Sequence, residues 1–360
     1  MSASTSSSAG RTIVITGGLG NLGSKLCRHL LENSSSSRKT RVILLEHPAF
    51  THLSNGGDGD NLTNTKTPKP LPHPEAILIP CDLGNIEDVN RNEVLKNAML
   101  NADALVHFSA VNPYPNATWS ESARSMDHTF NIFMLAVECN VKRVILASSN
   151  HVMGGYKDSP THGPSSIHPY TNPNIGTIPL DPATLAVSGD AKAYAAAKLA
   201  GERLAMTLGG MYGDRTSFVV LRIGWCQPGE NLPETLSAKG SPPEFLLEEE
   251  SGDRGEDFAS ESRGISEGDK KDELWFKRMW LSNKDFLNYF EKALEVDVPA
   301  ITSTSTNPDC DYDDDEAFAH RNVRNGFVLV NAMSKNSGAK WNLEETERLL
   351  GVVSTDDSLK

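Results

Sequence analysis

Thr12-Ile13-Val14-Ile15-Thr16-Gly17-Gly18-Leu19-Gly20-Asn21-Leu22-Gly23 is the stretch whose reading decides the fold. Its first five residues are a short, mostly β-branched run that ends in glycines. Beyond them Leu22, Leu26, Leu30 and Leu31 recur at helical spacing, so the order is strand, tight turn, helix. A side chain at Gly17, Gly20 or Gly23 would block the turn, the approach of a pyrophosphate, or helix packing. The helix N-terminus, from Asn21 and Leu22 onward, supplies N–H donors and a partial positive charge to an anion. The stretch therefore predicts a phosphate-cradling turn of the dinucleotide-binding type.

Working outward, a second strand is expected over 41–46 (RVILLE) and ends in Glu46, twenty-three residues after Gly23. A carboxylate there accepts hydrogen bonds from ribose hydroxyls and repels a 2′-phosphate, which favours NAD over NADP. Residues 51–75 carry no periodic pattern and read as a surface insertion. Then come a strand at 76–81, a helix over 86–100, a strand at 104–108, a helix at 120–139 and a strand at 144–148. Asp82, just after the third strand, and its neighbour Leu83 are further candidates for the coenzyme, on the adenine side; helix capping is the equal alternative for Asp82. A helix over about 190–208 and a strand at 217–223 follow. An amphipathic helix at 283–294, a strand at 327–330 and a short helix at 343–350 close the chain. Continuously apolar strands alternating with helices imply an α/β fold, a Rossmann-type doubly wound parallel sheet. The expected division is a tail over 1–11, a dinucleotide-binding domain over 12–224, and a small C-terminal substrate lobe over 225–360 with acidic insertions at 231–272 and 302–316.

Tyr194 and Lys198 stand four residues apart within Tyr-Ala-Ala-Ala-Lys, so on a helix both side chains share one face. A phenol titrates near 10, and ionising it at neutral pH requires lowering that value by about 3 units, roughly 4 kcal/mol. An adjacent ammonium and a positive nicotinamide ring can supply this. Ser148 and Ser149 end the fifth strand, at the edge where parallel sheets place their ligands.

Taken together, TGGLGNLG, HFSA after the fourth strand, SSNHVMGGY after the fifth, YAAAK, and LRIG after the sixth resemble, in order across about 12–224, the extended short-chain dehydrogenase/reductases of the NAD-dependent epimerase/dehydratase superfamily. The resemblance implies Ser149, Tyr194 and Lys198 as the catalytic trio, with Tyr194 and Lys198 also contacting the nicotinamide half of bound NAD. SSNHVMGGY, RIGWCQP, WLSNKDF and the late NAMSKNSGAKWNLEETERLLG are most similar to uronate dehydrogenases, which oxidise C1 of a hexuronic acid. By that likeness Asn112, Ser149, Asn150, His151, Trp225 and Trp275 would contact substrate. The pattern departs at three of these: a small hydroxyl residue usually stands where Trp225 does, an arginine where Trp275 does, and a serine where Asn112 does. Two tryptophans add apolar bulk and stacking surface. A sugar-nucleotide epimerase or dehydratase with tightly held NAD, and a non-catalytic dinucleotide-sensing protein, are the alternatives. A homodimer through the two long helices is implied by the resemblance alone.

The formal net charge of −13 argues against nucleic acid, because phosphate backbones need clustered lysine and arginine. Residues 248–273 and 302–316 carry −7 and −6 of it, so the rest is balanced; such stretches read as solvated loops. The five cysteines (Cys27, Cys81, Cys139, Cys226, Cys310) are scattered, without metal-like spacing, and fit reduced thiols in a cytoplasmic setting. No metal site is expected. No apolar run reaches the roughly 20 residues that span a bilayer, and the Ser-rich start lacks the features of a cleavable signal.

Overall fold

The structure is a computed structural model that describes residues 10–34, 39–51, 68–110, 118–157, 164–176, 191–236, 267–298, 323–324 and 326–360. Eight strands form one sheet: β1 (Arg11–Thr16), β2 (Thr40–Glu46), β3 (Ile77–Pro80), β4 (Ala104–His107), β5 (Arg143–Ser149), β6 (Ser217–Ile223), β7 (Val323–Arg324) and β8 (Phe327–Ala332). Their order is β3-β2-β1-β4-β5-β6-β8-β7. Only the two-residue β7 runs antiparallel, against β8. The chain winds outward from β1 in one direction and from β4 in the other. The crevice where the order reverses lies between those two strands.

Alternation along each strand feeds two cores, as the two-residue period of a pleated strand requires. Ile13, Ile15, Val42, Leu44, Ile145, Val219 and Val328 meet Leu26 and Leu30 of α1 (Asn21–Glu32) and Phe286, Tyr289 and Phe290 of α7 (Asn283–Glu295). Val14, Ile43, Leu105, Val144, Leu146 and Val220 meet the opposite layer. That layer holds α2 (Ile86–Arg91), α3 (Glu93–Leu100), α4 (Trp119–Glu138) and α5 (Lys192–Tyr212). α6 (Glu267–Arg278) and α8 (Glu344–Leu350) complete the α-helices among the described residues.

Several boundaries differ from the sequence expectation for identifiable reasons. The helix expected over 86–100 is broken at Asn92, whose carboxamide accepts from the Leu95 N–H and donates to the Pro80 carbonyl; the side chain caps a new helix rather than continuing the old one. β1 begins at Arg11, inside the expected tail. The first acidic insertion begins later than 231, because buried Asn231 accepts from the Gln227 N–H and donates to the Leu281 carbonyl. Its far end is helical from Glu267. Residues 52–67, 237–266 and 302–316 lie outside the described residues. The C-terminal third returns to the sheet with β8 and β7 and also builds an apolar cluster above the ends of β5 and β6. In it Met279, Met333 and Trp341 meet Val152 and Met153, with Trp225, Trp275 and Phe276 packed alongside.

Candidate active site

The glycine turn leaves β1 through Gly17, at φ +64°, a left-handed conformation that favours glycine. A Cβ on Gly23 would lie 2.3 Å from the Gly17 carbonyl oxygen. One on Gly17 would lie 3.1 Å from the Ser109 nitrogen, at the end of β4. α1 begins at Gly20 with no side-chain cap, so its first N–H groups point outward unspent. This cradle fits a pyrophosphate on the geometry of the turn itself.

Thr16 ties the turn to β4. Its hydroxyl oxygen accepts from the Phe108 and Ser109 N–H groups, each at 3.1 Å, and so spends its own proton on His107 Nδ1, 2.8 Å away. His107 then donates from Nε2 to Thr129 on α4, at 3.0 Å. Burial holds this imidazole neutral, far below the usual histidine range. The turn, β4 and α4 are thereby joined in one hydrogen-bonded chain.

Glu46 ends β2 beneath the turn, where its carboxylate accepts from the Leu19 N–H and the His47 N–H, both at 3.0 Å. A small open recess lies there, lined by Leu45, Glu46, His47, Asp82, Leu83 and His128 among others. Asp82 accepts from the Gly84 N–H and also lies 3.7 Å from Nε2 of His47 and from a guanidinium nitrogen of Arg124. Both readings of Asp82, local turn cap and recess wall, describe its position. Leu83 is buried, and its carbonyl accepts from Asn131. The Asn21 carboxamide donates to the Cys226 carbonyl, so on this residue only the backbone faces the cradle. Lys25, which the sequence reading missed, bridges the Gln227 carbonyl and Asn283 Oδ1 at 2.6 Å each. It clasps α1 to the loop after β6, a contact across 200 residues with no local signature.

At the other half of the sheet edge, β5 delivers Ser149, whose hydroxyl accepts from the His151 N–H as a short 3-10 turn, Asn150–Tyr156, begins. Tyr194, in the first turns of α5, lies near enough to Ser149 for that hydroxyl to favour its ionised form. Lys198, one turn on, donates to the Ala147 carbonyl at 2.8 Å and stands 5.6 Å from the centroid of the Tyr194 ring. The structure therefore brings together Ser149, Tyr194 and Lys198. Burial pushes the phenol up to about 12, with the neighbouring Ser149 hydroxyl opposing it, and pushes the ammonium down to about 8. The His151 ring stands edge-on to Tyr194 at 5.9 Å, held down to about 4 by burial. Asn150 turns away, donating to the Ile223 carbonyl. Asn112 lies outside the described residues.

Trp225 and Trp275 both reach the apolar cluster. The backbone of Trp225 pairs with that of Met279 and Leu281, and its ring meets Phe276 edge-on at 4.7 Å. Trp275 packs on Trp341 at 4.7 Å. The sequence places Phe276 with Trp275 and Met279 in an aromatic cluster of core or pocket-wall character, as found; Trp341 was not among the sequence candidates. No group of three or more His, Cys, Asp or Glu among the described residues is arranged to hold a metal ion.

A doubly wound sheet with a glycine cradle at its switch point and a Ser/Tyr/Lys cluster one strand away defines a Rossmann-type protein of the dehydrogenase/reductase kind. The profile of the NAD dependent epimerase/dehydratase family matches residues 13–225, more than half of the chain, and the chain belongs to that family. An L-arabinose 1-dehydrogenase (NAD(P)(+)) of Haloferax volcanii is 27% identical over 279 residues, covering 76% of this chain and 82% of the relative. An NAD-dependent glucose-6-phosphate dehydrogenase of the same organism is 32% identical over 143 residues, which span 49% of its length. Among solved structures, the uronate dehydrogenase of Agrobacterium tumefaciens superposes with a TM-score of 0.53 at 16% identity, over 98% of this chain and 86% of that one. That likeness is one of fold.

Proposed function

We propose that the chain is an NAD-dependent dehydrogenase that oxidises a hydroxyl of a small sugar or sugar acid, with Tyr194 as base, Lys198 as its electrostatic partner and Ser149 as the group that orients the reacting hydroxyl. The observation that carries this reading is the Lys198 ammonium, fixed on the Ala147 carbonyl of β5 and 5.6 Å from the centroid of the Tyr194 ring, beside Ser149 at the carboxyl end of that strand. The coenzyme, when bound, supplies a hydride acceptor and, in its oxidised form, a positive charge near the phenol. The turn at Gly17, Gly20 and Gly23 with the N–H groups of Asn21 and Leu22 would hold its pyrophosphate. Glu46, Asp82 and Leu83 would receive its adenosine.

Burial by itself keeps the proton on Tyr194, so the lowering that chemistry needs has two sources: the Lys198 ammonium, fixed by the Ala147 carbonyl, and the charge brought by the coenzyme. Once ionised, Tyr194 takes the proton of the substrate hydroxyl as the carbon beneath it loses hydride and becomes a carbonyl. Ser149 donates to the substrate oxygen and holds it in line. His151, Trp225 and Trp275 are the substrate-facing wall in this reading. The names of the two curated relatives, sugar dehydrogenases both, support a sugar. Asn112 and Asn150 are kept as substrate contacts only on resemblance to the family; the carboxamide of Asn150 is committed to β6.

The free cysteines Cys27, Cys81 and Cys139 are buried and suit a reducing, cytoplasmic setting. No helix among the described residues is long and apolar enough to cross a membrane. A homodimer through α4 and α5 is supported by Phe130 and Met126, which α4 exposes. Sedimentation velocity tests it: a single species at monomer mass removes it.

The experiment that tests the activity follows NADH absorbance with aldoses, uronic acids and sugar nucleotides. A sugar or sugar acid is expected to give net NADH; tightly held NAD with no net NADH would point instead to an epimerase. On the active substrate, Tyr194→Phe is expected to lower kcat by about 10³-fold while NAD binding persists. Turnover at the wild-type rate in that variant refutes the assignment.

A further inference from the structure

Tyr194, Lys198 and Glu202 follow one another at four-residue steps down one face of α5, yet only the first two have a part in the chemistry above. Glu202 is 3% exposed and Arg222, on β6, 1%. The guanidinium meets the carboxylate bidentately, Nε to Oε1 at 2.9 Å and one terminal nitrogen to Oε2 at 2.8 Å. The Ser148 hydroxyl donates to Oε1 at 2.6 Å, and the remaining guanidinium nitrogen donates to the Pro169 carbonyl. Ser148 and Arg222 are register partners on adjacent strands, both on the α5 side of the sheet. Ser148 immediately precedes Ser149.

Beside the Lys198 bond to the Ala147 carbonyl, the apolar packing of α5 has little direction. Its buried face consists largely of Ala193, Ala195, Ala197, Gly201, Ala205 and Gly209, side chains too small to interlock as ridges in grooves. Its start at Ala191 has no side-chain cap. Smooth helix surfaces can roll. With Cα atoms about 2.3 Å from the axis and a phenol reaching roughly 6 to 7 Å further, a roll of about 6° displaces the hydroxyl by about 1 Å. A misplacement of that size can cost about 10²-fold in rate. Directional hydrogen bonds resist such a roll, which apolar contact does not.

We infer that Glu202, gripped by Arg222 and Ser148, is a positioning residue: it sets the roll of α5 over the ends of β5 and β6 and so aims Tyr194 and Lys198 at Ser149. This rests on the activity proposed above. Buried ion pairs often stabilise no better than apolar residues of similar volume, and exchange for such residues separates specificity from stability.

The test is the double variant Glu202→Leu/Arg222→Met, compared with the wild type on the sugar from which the wild type makes NADH. Cooperative unfolding near the wild-type Tm, NAD affinity and KM each within about two-fold, and kcat lower by about 30- to 100-fold are expected. Wild-type kcat in the folded double variant, or a loss confined to KM or NAD affinity, overturns the inference. If the double variant does not fold, Ser148→Ala decides: removing one of the three hydrogen bonds is expected to cost about 3- to 10-fold in kcat at unchanged KM, and an unchanged kcat overturns the inference. A wild type that reduces NAD with no sugar overturns the activity itself, which is a separate outcome.

Discussion

The two halves of the sheet's carboxyl edge are built from different materials. On the coenzyme half, β1 and β2 present mostly backbone, a left-handed glycine and an uncapped helix start, with one side chain, the Glu46 carboxylate, accepting N–H groups of the turn. On the proposed substrate half, β5 and β6 present side chains, and nearly all of them are held by residues distant in the chain. Lys198 rests on β5, Trp275 on Trp341, and Glu202 on Arg222. The lesson is that a site made of main chain depends on which residues are absent, namely every Cβ, whereas a site made of side chains depends on what arrives from elsewhere.

The contrast can be broken from either side. The largest effect belongs to the Tyr194→Phe exchange above, a failure of chemistry with binding intact. On the coenzyme half, Gly23→Val puts a branched side chain where even a Cβ would lie 2.3 Å from a carbonyl oxygen. NAD affinity by calorimetry is expected to fall at least about 100-fold, since the turn must open. Retained affinity would mean that the cradle is not where NAD sits. On the substrate half, Trp275→Ala should raise KM about 10-fold through lost stacking and apolar contact and leave NAD affinity alone. A parallel loss of NAD affinity would show that the two halves are not separable.

The smallest effect is one of stability. Burial lowers Lys198 from 10.5 to about 8, so between pH 8 and 10.5 the unfolded chain binds the proton that the folded chain has released. By linkage, this group's destabilising contribution is fully present below pH 8 and is relieved as pH rises toward 10.5. Lys198→Met should therefore raise Tm at pH 7 by a few degrees, the roughly 3 kcal/mol of the shift being partly offset by the lost hydrogen bond to Ala147. That gain should shrink in scans above pH 9. A gain independent of pH would place the ammonium in a wetter environment than the structure has it.

Legibility followed the same division. Thr12 to Gly23 could be read as strand, turn and helix because each constraint lies within a dozen residues. Strand 217–223 appeared at the expected bounds because its apolar run is continuous. Tyr194 and Lys198 were legible because a helix keeps residues four apart on one face. Asn92 was not read as a break, since an asparagine caps a helix only where a partner such as the Pro80 carbonyl is near enough to reward it. The partners of Lys25, Arg222 and Trp341 gave no sign, because nothing beside these residues in the chain names them.

By itself, then, the order of residues determined a parallel α/β sheet, a dinucleotide cradle at its first turn and a tyrosine and lysine sharing one helical face, all consequences of local sterics and periodicity. Tertiary structure alone decided that Ser148 turns to Glu202 and that the tryptophans gather over the strand ends. Neighbouring residues of a strand face opposite sides of the sheet, and which side holds the coenzyme, the helix or the core is settled only when the layers have packed.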